Sequence, residues 1–198
     1  MEKAQANFSR CQWCLGFPEY VQYHDTEWGV PVWDDRVHFE FLILESAQAG
    51  LSWATILKKR EGYRKAFADF DYKVVADFPE SYVQELLLDP GIIRNVMKIR
   101  AAINNARCFM KVQEEFGSFS NYIWGFVGGK PKQNKLESLK NITATTTESD
   151  IMAKDLKKRG FKFLGSTTVY AHMQATGLVN DHLESCFRNS EVIAVGKK

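Results

Sequence analysis

The sequence predicts an all-α fold, with the chain forming a compact helical domain. Apolar residues recur every three to four positions in most segments, which is the period of a helix that faces a core. Glycine, proline, aspartate and serine punctuate these segments at the places where helices start and stop. We find no convincing strand pattern and no internal repeat in the sequence.

The composition is that of a folded protein, and we expect a single domain over residues 1–198 with flexible tails at 1–8 and 188–198. Hydrophobic residues make up 45% and charged residues 25% of the chain, which argues against disorder. The polar N-terminus predicts no signal peptide, and no apolar run is long enough to span a membrane. We therefore expect a cytoplasmic protein whose four cysteines are free thiols or metal ligands. The net charge of +2 does not by itself indicate nucleic acid.

The N-terminal segment, residues 10–33, is dense in aromatic residues and has poor periodicity, which predicts short helices and loops. Most tryptophans of the chain occur before residue 54, and this clustering indicates an aromatic-lined site rather than an evenly distributed core. The four are Trp13, Trp28, Trp33 and Trp53.

The stretch at 39–53 predicts a buried helix that stops at Gly50-Leu51-Ser52-Trp53, with Asp34 and Asp35 offering its N-cap. In its middle lies Glu45, and none of its neighbours one turn away is positively charged: Phe41, Leu42, Gln48 and Ala49. An unpaired buried carboxylate costs several kcal/mol. Glu45 therefore either satisfies backbone groups inside the core or faces a pocket as an acid, a base or a hydrogen-bond acceptor.

The middle of the chain predicts further helices that end at a loop-like region rich in Gly, Pro, Lys and Thr. A Pro-Gly turn is expected between the second and third of these helices. In order, the segments are an amphipathic helix or helix pair at 52–70, helices at 75–88, 92–116 and 118–127, and the loop at 128–147.

The C-terminal third predicts two helices joined by a tight hairpin. The first begins at a capping-box-like pattern, Thr147 and Asp150, and stops at Gly160, and the second covers residues 166–176. Such a unit suits phosphate binding, because glycines allow close approach and helix N-terminal N–H groups point at the anion. Basic residues at 154–162 would add attraction for DNA. The same spacing also fits an ordinary αα-hairpin with a solvated basic face.

The last candidate site is a metal centre. His182 and Cys186 are four residues apart, so a helix would place both on one face as half of a zinc site. The other half must come from Cys11, Cys14 or His24, and spacing alone favours Cys11-x-x-Cys14. The alternative is that these residues are ordinary core residues. A zinc site would tie the N- and C-terminal segments of the helical domain together, beside its helix-hairpin-helix element.

Six motifs occur in the order and with the gaps of one known family, over about residues 9 to 187. The sequence resembles the 3-methyladenine DNA glycosylase I family of bacteria, within the helix-hairpin-helix glycosylase superfamily. The motifs are Arg10-Cys11-x-Trp13, Tyr23-His24-Asp25-x-Glu27-Trp28-Gly29-Val30-Pro31, Gln48-Ala49-Gly50-Leu51-Ser52-Trp53, Gly91-Ile92-Ile93-Arg94, Lys157-Lys158-Arg159-Gly160-Phe161-Lys162-Phe163 and Leu178-Val179-Asn180-Asp181-His182.

The resemblance implies a role for each candidate residue. The acid of the base pocket is Glu45, and Cys14 is displaced from the metal site. The implied structural zinc ligands are Cys11, His24, His182 and Cys186. The implied base-binding residues are Trp13, Tyr20, Tyr23, Trp28 and Trp53. The implied DNA-binding residues are Gly50, Leu51, Gly160, Lys162 and Gly165, with Leu51 filling the gap left by the flipped base.

The implied activity is hydrolysis of the N-glycosidic bond of 3-methyladenine in alkylated double-stranded DNA, by a monomer that flips the base. Thr167 occupies the position where lyase-type relatives carry a lysine, so no lyase activity is expected. Asn180 occupies the place of a catalytic aspartate in many relatives, and Asp181 is expected to cap a helix at His182. The alternative is a non-enzymatic, zinc-stabilised module that binds DNA or peptide, for which a buried acid at Glu45 would have no use.

Overall fold

Ten α-helices account for most of residues 9–196, the part of the chain that the computed structural model describes. None of them combines the length and apolarity needed to cross a bilayer. The helices are α1 (Pro18–Thr26), α2 (Asp35–Gln48), α3 (Trp53–Ala66), α4 (Tyr72–Ala76), α5 (Glu80–Leu86), α6 (Val96–Phe116), α7 (Phe119–Gly125), α8 (Thr147–Lys158), α9 (Ser166–Ala175) and α10 (Phe187–Val195).

Helix α2 lies at the centre of the fold and packs against α3, α6, α7 and α9. The predicted buried helix is confirmed, since every residue from 38 to 47 is buried. Asp34 caps its N-terminus by accepting from the N–H groups of Arg36 and Val37. At its C-terminus the ammonium group of Lys98 donates to the carbonyl oxygens of Ala47 and Ala49, at 2.7 Å each. The chain then turns sharply into α3.

Two predicted helices have different bounds in the structure. The segment 75–88 is not one helix: α4 ends at Ala76 and α5 begins at Glu80, because Pro79 lacks an N–H group and cannot lie inside a helix. The long helix begins at Val96 rather than at residue 92, because the Asn95 side chain accepts from the N–H groups of Met97 and Lys98 and caps it.

The prediction that the chain has no strand is wrong at one place, although the fold is mainly helical as predicted. Strands β1 (Lys132–Gln133) and β2 (Val179–Asn180) form a parallel pair, with Lys132 opposite Val179. Strands of two residues carry no detectable sequence period, so the pattern could not show them. The pair fastens the loop at 128–147 to the segment that precedes His182.

The predicted pair of helices joined by a tight hairpin consists of α8, the connection at 159–165 and α9. Its first helix begins one residue earlier than predicted, because Thr146 and Ser149, rather than Thr147 and Asp150, form the capping box. Gly160 ends the helix with a φ of +94°, a conformation that favours glycine.

The C-terminal segment differs from the prediction in two ways. His182 and Cys186 lie in a turn and not on a helix, since α10 starts only at Phe187. A flexible tail was expected at 188–198, but helix α10 covers most of this segment and Val192 is buried. The expected tail at 1–8 lies outside the described residues.

Candidate functional site

A cavity of about 260 Å³ lies between the N-terminal aromatic segment and helices α2, α3 and α9. It brings together Glu45 and all five aromatic residues that the sequence analysis assigned to base binding. Sequence reasoning had given no cavity role to Gln48, Ile142, Ala171 and Gln174, which complete the lining. Trp33 is not part of it, because its ring stacks on Trp124 with 4.1 Å between centroids.

The aromatic walls of the cavity support one another. Trp13 follows Cys11 in a short 3-10 turn, and its ring meets the edge of Trp28 with 4.8 Å between centroids. Tyr23 on α1 packs against Trp53 at the start of α3, with 5.4 Å between centroids. Because each ring is held by a neighbour, the cavity is formed before any ligand enters, and a flat base could stack inside it without first ordering the walls.

Glu45 lines this cavity and is only 4% exposed. Its Oε2 atom is buried and has no hydrogen-bond partner among the described residues. Burial raises the pKa of the carboxyl group from 4.5 to about 8, because no nearby cation offsets the loss of water. The alternative in which Glu45 satisfies backbone groups is not found in the described chain, so the acid is left for a ligand.

A second cavity of about 180 Å³ adjoins the first and shares Glu45, Gln48 and Ala171 with it. Its other walls come from the corner between α2 and α3 and from the first turn of α9. Leu51 stands at this corner and is 42% exposed, although leucine is usually buried. The structure thus brings Gly50 and Leu51 close to Thr167 and Thr168 of α9.

The hairpin is held in place by α6. The Asn105 side chain accepts from the Lys162 N–H at 2.8 Å and donates to the Lys162 carbonyl at 2.9 Å. Asn104 donates to the Gly160 carbonyl at 2.8 Å. These bonds fix the hairpin backbone, while the side chain of Lys162 is exposed. Asn104 and Asn105 were not found from sequence, because no local pattern marks a side chain that braces a distant loop.

The N-terminus of α9, next to the second cavity, carries no side-chain cap. Gly165 is the N-cap residue and has no side chain to offer. The first N–H groups of a helix have no intrahelical partner and carry a partial positive charge. Together with Lys162, they give this end of the hairpin the polarity that suits an anion.

Four buried side chains form a cluster that could hold a metal ion, and their donor atoms all lie within 4.8 Å of one another: Cys11, His24, His182 and Cys186. The Cys186 sulfur is 3.5 Å from His24 Nε2 and 3.6 Å from His182 Nδ1. Tetrahedral zinc with usual bond lengths separates sulfur from nitrogen ligands by about 3.6 Å, so the spacing fits this ion.

Both histidines of the metal cluster are oriented from outside. His24 Nδ1 bonds to the Asp25 carboxylate at 2.7 Å, and Arg10 holds that carboxylate at 2.8 Å. His182 Nε2 bonds to the Trp28 carbonyl at 2.9 Å. A proton on each outer nitrogen leaves the inner nitrogen as a free lone pair, which is the arrangement that metal-binding histidines use.

Two sequence-based expectations near this cluster are corrected by the structure. Spacing had favoured Cys14 as a ligand, but its thiol is directed at the Cys11 carbonyl, at 3.1 Å. Asp181 was expected to cap a helix at His182, but no helix begins there. Its carboxylate instead accepts hydrogen bonds from side chains of α9 and of the 128–147 loop.

Nearly the whole chain is similar to known methyladenine glycosylases, both in sequence and in structure. The family model for methyladenine glycosylases matches residues 13–189. "DNA-3-methyladenine glycosylase 1" of Escherichia coli (strain K12) is 48% identical over 177 residues, which are 89% of this chain and 95% of the relative. A crystal structure of 3-methyladenine DNA glycosylase I matches with a TM-score of 0.88 at 50% identity, over 90% of this chain and 98% of the other. A structure of 3-methyladenine DNA glycosylase I from Staphylococcus aureus, which describes recognition of 3-methyladenine, matches with a TM-score of 0.89 at 38% identity. The match covers 93% of this chain and 98% of the other.

Proposed function

The chain belongs to the methyladenine glycosylase family, and from this we infer that it is a DNA-3-methyladenine glycosylase. It hydrolyses the N-glycosidic bond of 3-methyladenine in alkylated double-stranded DNA, which is the first step of base excision repair. The carrying observation is Glu45, a buried carboxyl group without a partner inside an aromatic cavity. A cationic base is the ligand that such a cavity fits.

Recognition of the base rests on charge. Methylation at N3 gives adenine a positive charge, and this charge favours the carboxylate form of Glu45 when the base enters. A charge-assisted hydrogen bond is about twice as strong as a neutral one, so the cationic base gains more from Glu45 than an undamaged base does. Stacking on the aromatic rings adds roughly 1–3 kcal/mol for a base of either kind. Selectivity therefore comes from Glu45 and not from the rings.

The chemical step asks little of the protein, because the positive base is already a good leaving group. The oxygen of a water molecule bonds to C1′ of the sugar while the C1′–N9 bond breaks. The electron pair of that bond goes to the base, which leaves as neutral 3-methyladenine, and the water releases a proton to the solvent. Thr167 lies where a Schiff-base lysine would be needed, so the strand is not cut.

The DNA is held where the two cavities open. Flipping a nucleotide costs a few kcal/mol, and the exposed Leu51 side chain offsets part of this by filling the gap in the stack. Backbone groups of the hairpin, from Gly160 to Gly165, and the N-terminus of α9 contact phosphates, with Lys162 supplying positive charge. One chain supplies both the base cavity and the hairpin, so a monomer is sufficient.

The metal that the Cys11, His24, His182 and Cys186 cluster holds is zinc, with a structural role. Two thiolates and two imidazoles are a usual donor set for zinc. Because all four ligands come from the protein, no position is open for a substrate. When bound, the ion joins the segment before α1 to the turn before α10, and so supports the aromatic wall on which Trp13 and Trp28 lie.

The function is tested by incubating the purified protein with alkylated double-stranded DNA and separating the released bases by chromatography. We expect 3-methyladenine as the main product, with intact strands until the abasic sites are cleaved chemically. Glu45→Gln should slow this release. Its matched control is Glu61→Gln, which removes an exposed carboxylate of α3 and leaves release unchanged. Binding of alkylated DNA without release of any base would favour the non-enzymatic module instead.

A further inference from the structure

Asp181 is a buried carboxylate for which the proposed chemistry has no use. It is 1% exposed and accepts hydrogen bonds from three uncharged side chains. The donors are the Tyr170 hydroxyl at 2.7 Å, Gln174 Nε2 at 2.7 Å and Asn134 Nδ2 at 2.6 Å. Burial and the bond to Asp181 both raise the pKa of Tyr170, so this hydroxyl keeps its proton and donates.

One of these donors, Gln174, also lines the cavity that contains Glu45. A carboxylate can only accept, so Asp181 must face the NH2 end of the Gln174 amide. The other end, Oε1, is then turned away from Asp181, and the one side-chain hydrogen bond of Gln174 found among the described residues is the bond from Nε2. Gln48 lines the same cavity, but no hydrogen bond from the described chain fixes its amide. Of the two glutamines, only Gln174 has its orientation dictated.

We propose that Asp181 is a positioning residue that holds the Gln174 amide with its carbonyl oxygen towards the cavity. The cavity then offers two hydrogen-bond acceptors, Gln174 Oε1 and the carboxylate of Glu45, and this pair selects bases that carry two N–H donors. The inference rests on the proposed function, since it concerns the base that this cavity takes.

The chemistry of the base explains why two acceptors are useful. In a 3-methyladenine nucleotide the only N–H donors are the two hydrogens of the exocyclic amine. A base with a carbonyl oxygen at the same position would place it against two other oxygens. An amide free to rotate would donate to that oxygen and lose the discrimination. A fixed amide keeps the discrimination, because the carbonyl oxygen of the wrong base and the Gln174 oxygen would both be buried without a hydrogen-bond donor, which is costly.

The proposal is tested with Asp181→Asn. Asparagine has the same shape but offers one acceptor and one donor in place of two acceptors, so the Gln174 amide is no longer held in a single orientation. Binding of free 3-methyladenine and of 3-methylhypoxanthine, which has a carbonyl oxygen in place of the amine, is followed by the fluorescence of the cavity tryptophans. The native protein should prefer 3-methyladenine, and the variant should lower the affinity ratio about tenfold.

Two further variants separate positioning from structural damage. Gln174→Met keeps the side-chain length but removes the carbonyl oxygen, so the ratio should fall although Asp181 is untouched. Tyr170→Phe is the matched control, because it removes another hydrogen bond to Asp181 and leaves the Gln174 amide in place. It should lower the melting temperature without changing the ratio. Gln174→Met also keeps the inference testable if Asp181→Asn fails to fold.

The outcomes distinguish this inference from the proposed function. An unchanged ratio in Gln174→Met would overturn the inference, as would equal falls in Tyr170→Phe and Gln174→Met. In both cases, release of 3-methyladenine that depends on Glu45 would leave the proposed function standing. Failure of the native protein to release 3-methyladenine from alkylated DNA would overturn both.

Discussion

Replacing Glu45 by glutamine keeps the shape of the side chain and removes its ability to ionise. In the folded protein, burial raises the pKa of Glu45 to about 8, compared with 4.5 for an ordinary glutamate. The folded state therefore binds this proton more tightly than the unfolded state. The stabilisation that results is complete below pH 4.5, declines as the pH rises, and is gone above the folded pKa of about 8.

The size of the effect follows from the two pKa values. Each unit of difference corresponds to about 1.4 kcal/mol, so the native protein should lose about 3 kcal/mol between pH 4.5 and pH 7. The loss should reach about 5 kcal/mol above pH 8. Glutamine has no such loss. At pH 7 the Glu45→Gln variant should therefore be more stable by up to about 3 kcal/mol, which is about 6–12 °C in melting temperature for a chain of this size.

The assay compares the two proteins at each pH. Denaturant unfolding of native and Glu45→Gln protein is measured at several values between pH 4.5 and pH 9, with equal metal content. Other titrating groups and the metal site affect both proteins equally, so the difference in unfolding free energy isolates Glu45. The same samples are assayed for single-turnover release of 3-methyladenine, where loss of the charge should cost roughly ten- to a hundredfold.

The combination of results decides the matter. If the variant is more stable than the native protein at pH 7 but releases 3-methyladenine more slowly, Glu45 destabilises the fold and serves binding of the base. A stability difference that does not change between pH 5 and pH 8 would refute the raised pKa. Lower stability of the variant would indicate a structural acid. Undiminished release would remove Glu45 from base recognition.

Three other outcomes are expected. A structural zinc supplies folding energy on the order of 10 kcal/mol, so a chelator should lower the melting temperature. Metal analysis should find zinc in the Cys14→Ser variant but not in the His24→Ala variant. Lys162→Glu should weaken binding to abasic DNA and reduce its salt dependence, measured by fluorescence anisotropy at several salt concentrations, with Lys73→Glu as a distant control. Asn105→Ala should loosen the hairpin and weaken the same binding about tenfold, while leaving the affinity for free 3-methyladenine unchanged in a fluorescence titration.

The sequence by itself determined the helices whose apolar period is long and regular. The buried helix around Glu45 and the helix pair at the hairpin are visible because burial on all sides, or on one face, leaves a pattern within ten to fifteen residues. The absence of a cation one turn from Glu45 is also a local fact. It correctly indicated an acid without a partner, and the structure places that acid in a cavity.

The sequence motifs identified the family, and the family resemblance then predicted which distant residues form the metal cluster. Spacing alone favoured Cys11 and Cys14, which are close in sequence, whereas the cluster that the structure forms joins residue 11 to residue 186 and leaves out Cys14. The geometric argument for His182 and Cys186 assumed a helix that is not there. A turn brings both side chains to one point equally well, because the Asn180 side chain accepts from the His182 N–H and the Asn189 side chain donates to the His182 carbonyl.

Only the tertiary structure decided the parts that depend on long-range packing. The short strand pair, the brace of Asn105 on Lys162 and the place of Gln174 in the cavity leave no periodic trace in the sequence. Each depends on which surface of one helix faces another, and that is fixed by the shape of the whole core. The orientation of the Gln174 amide depends on one further contact, with Asp181, which comes from a different element of the chain.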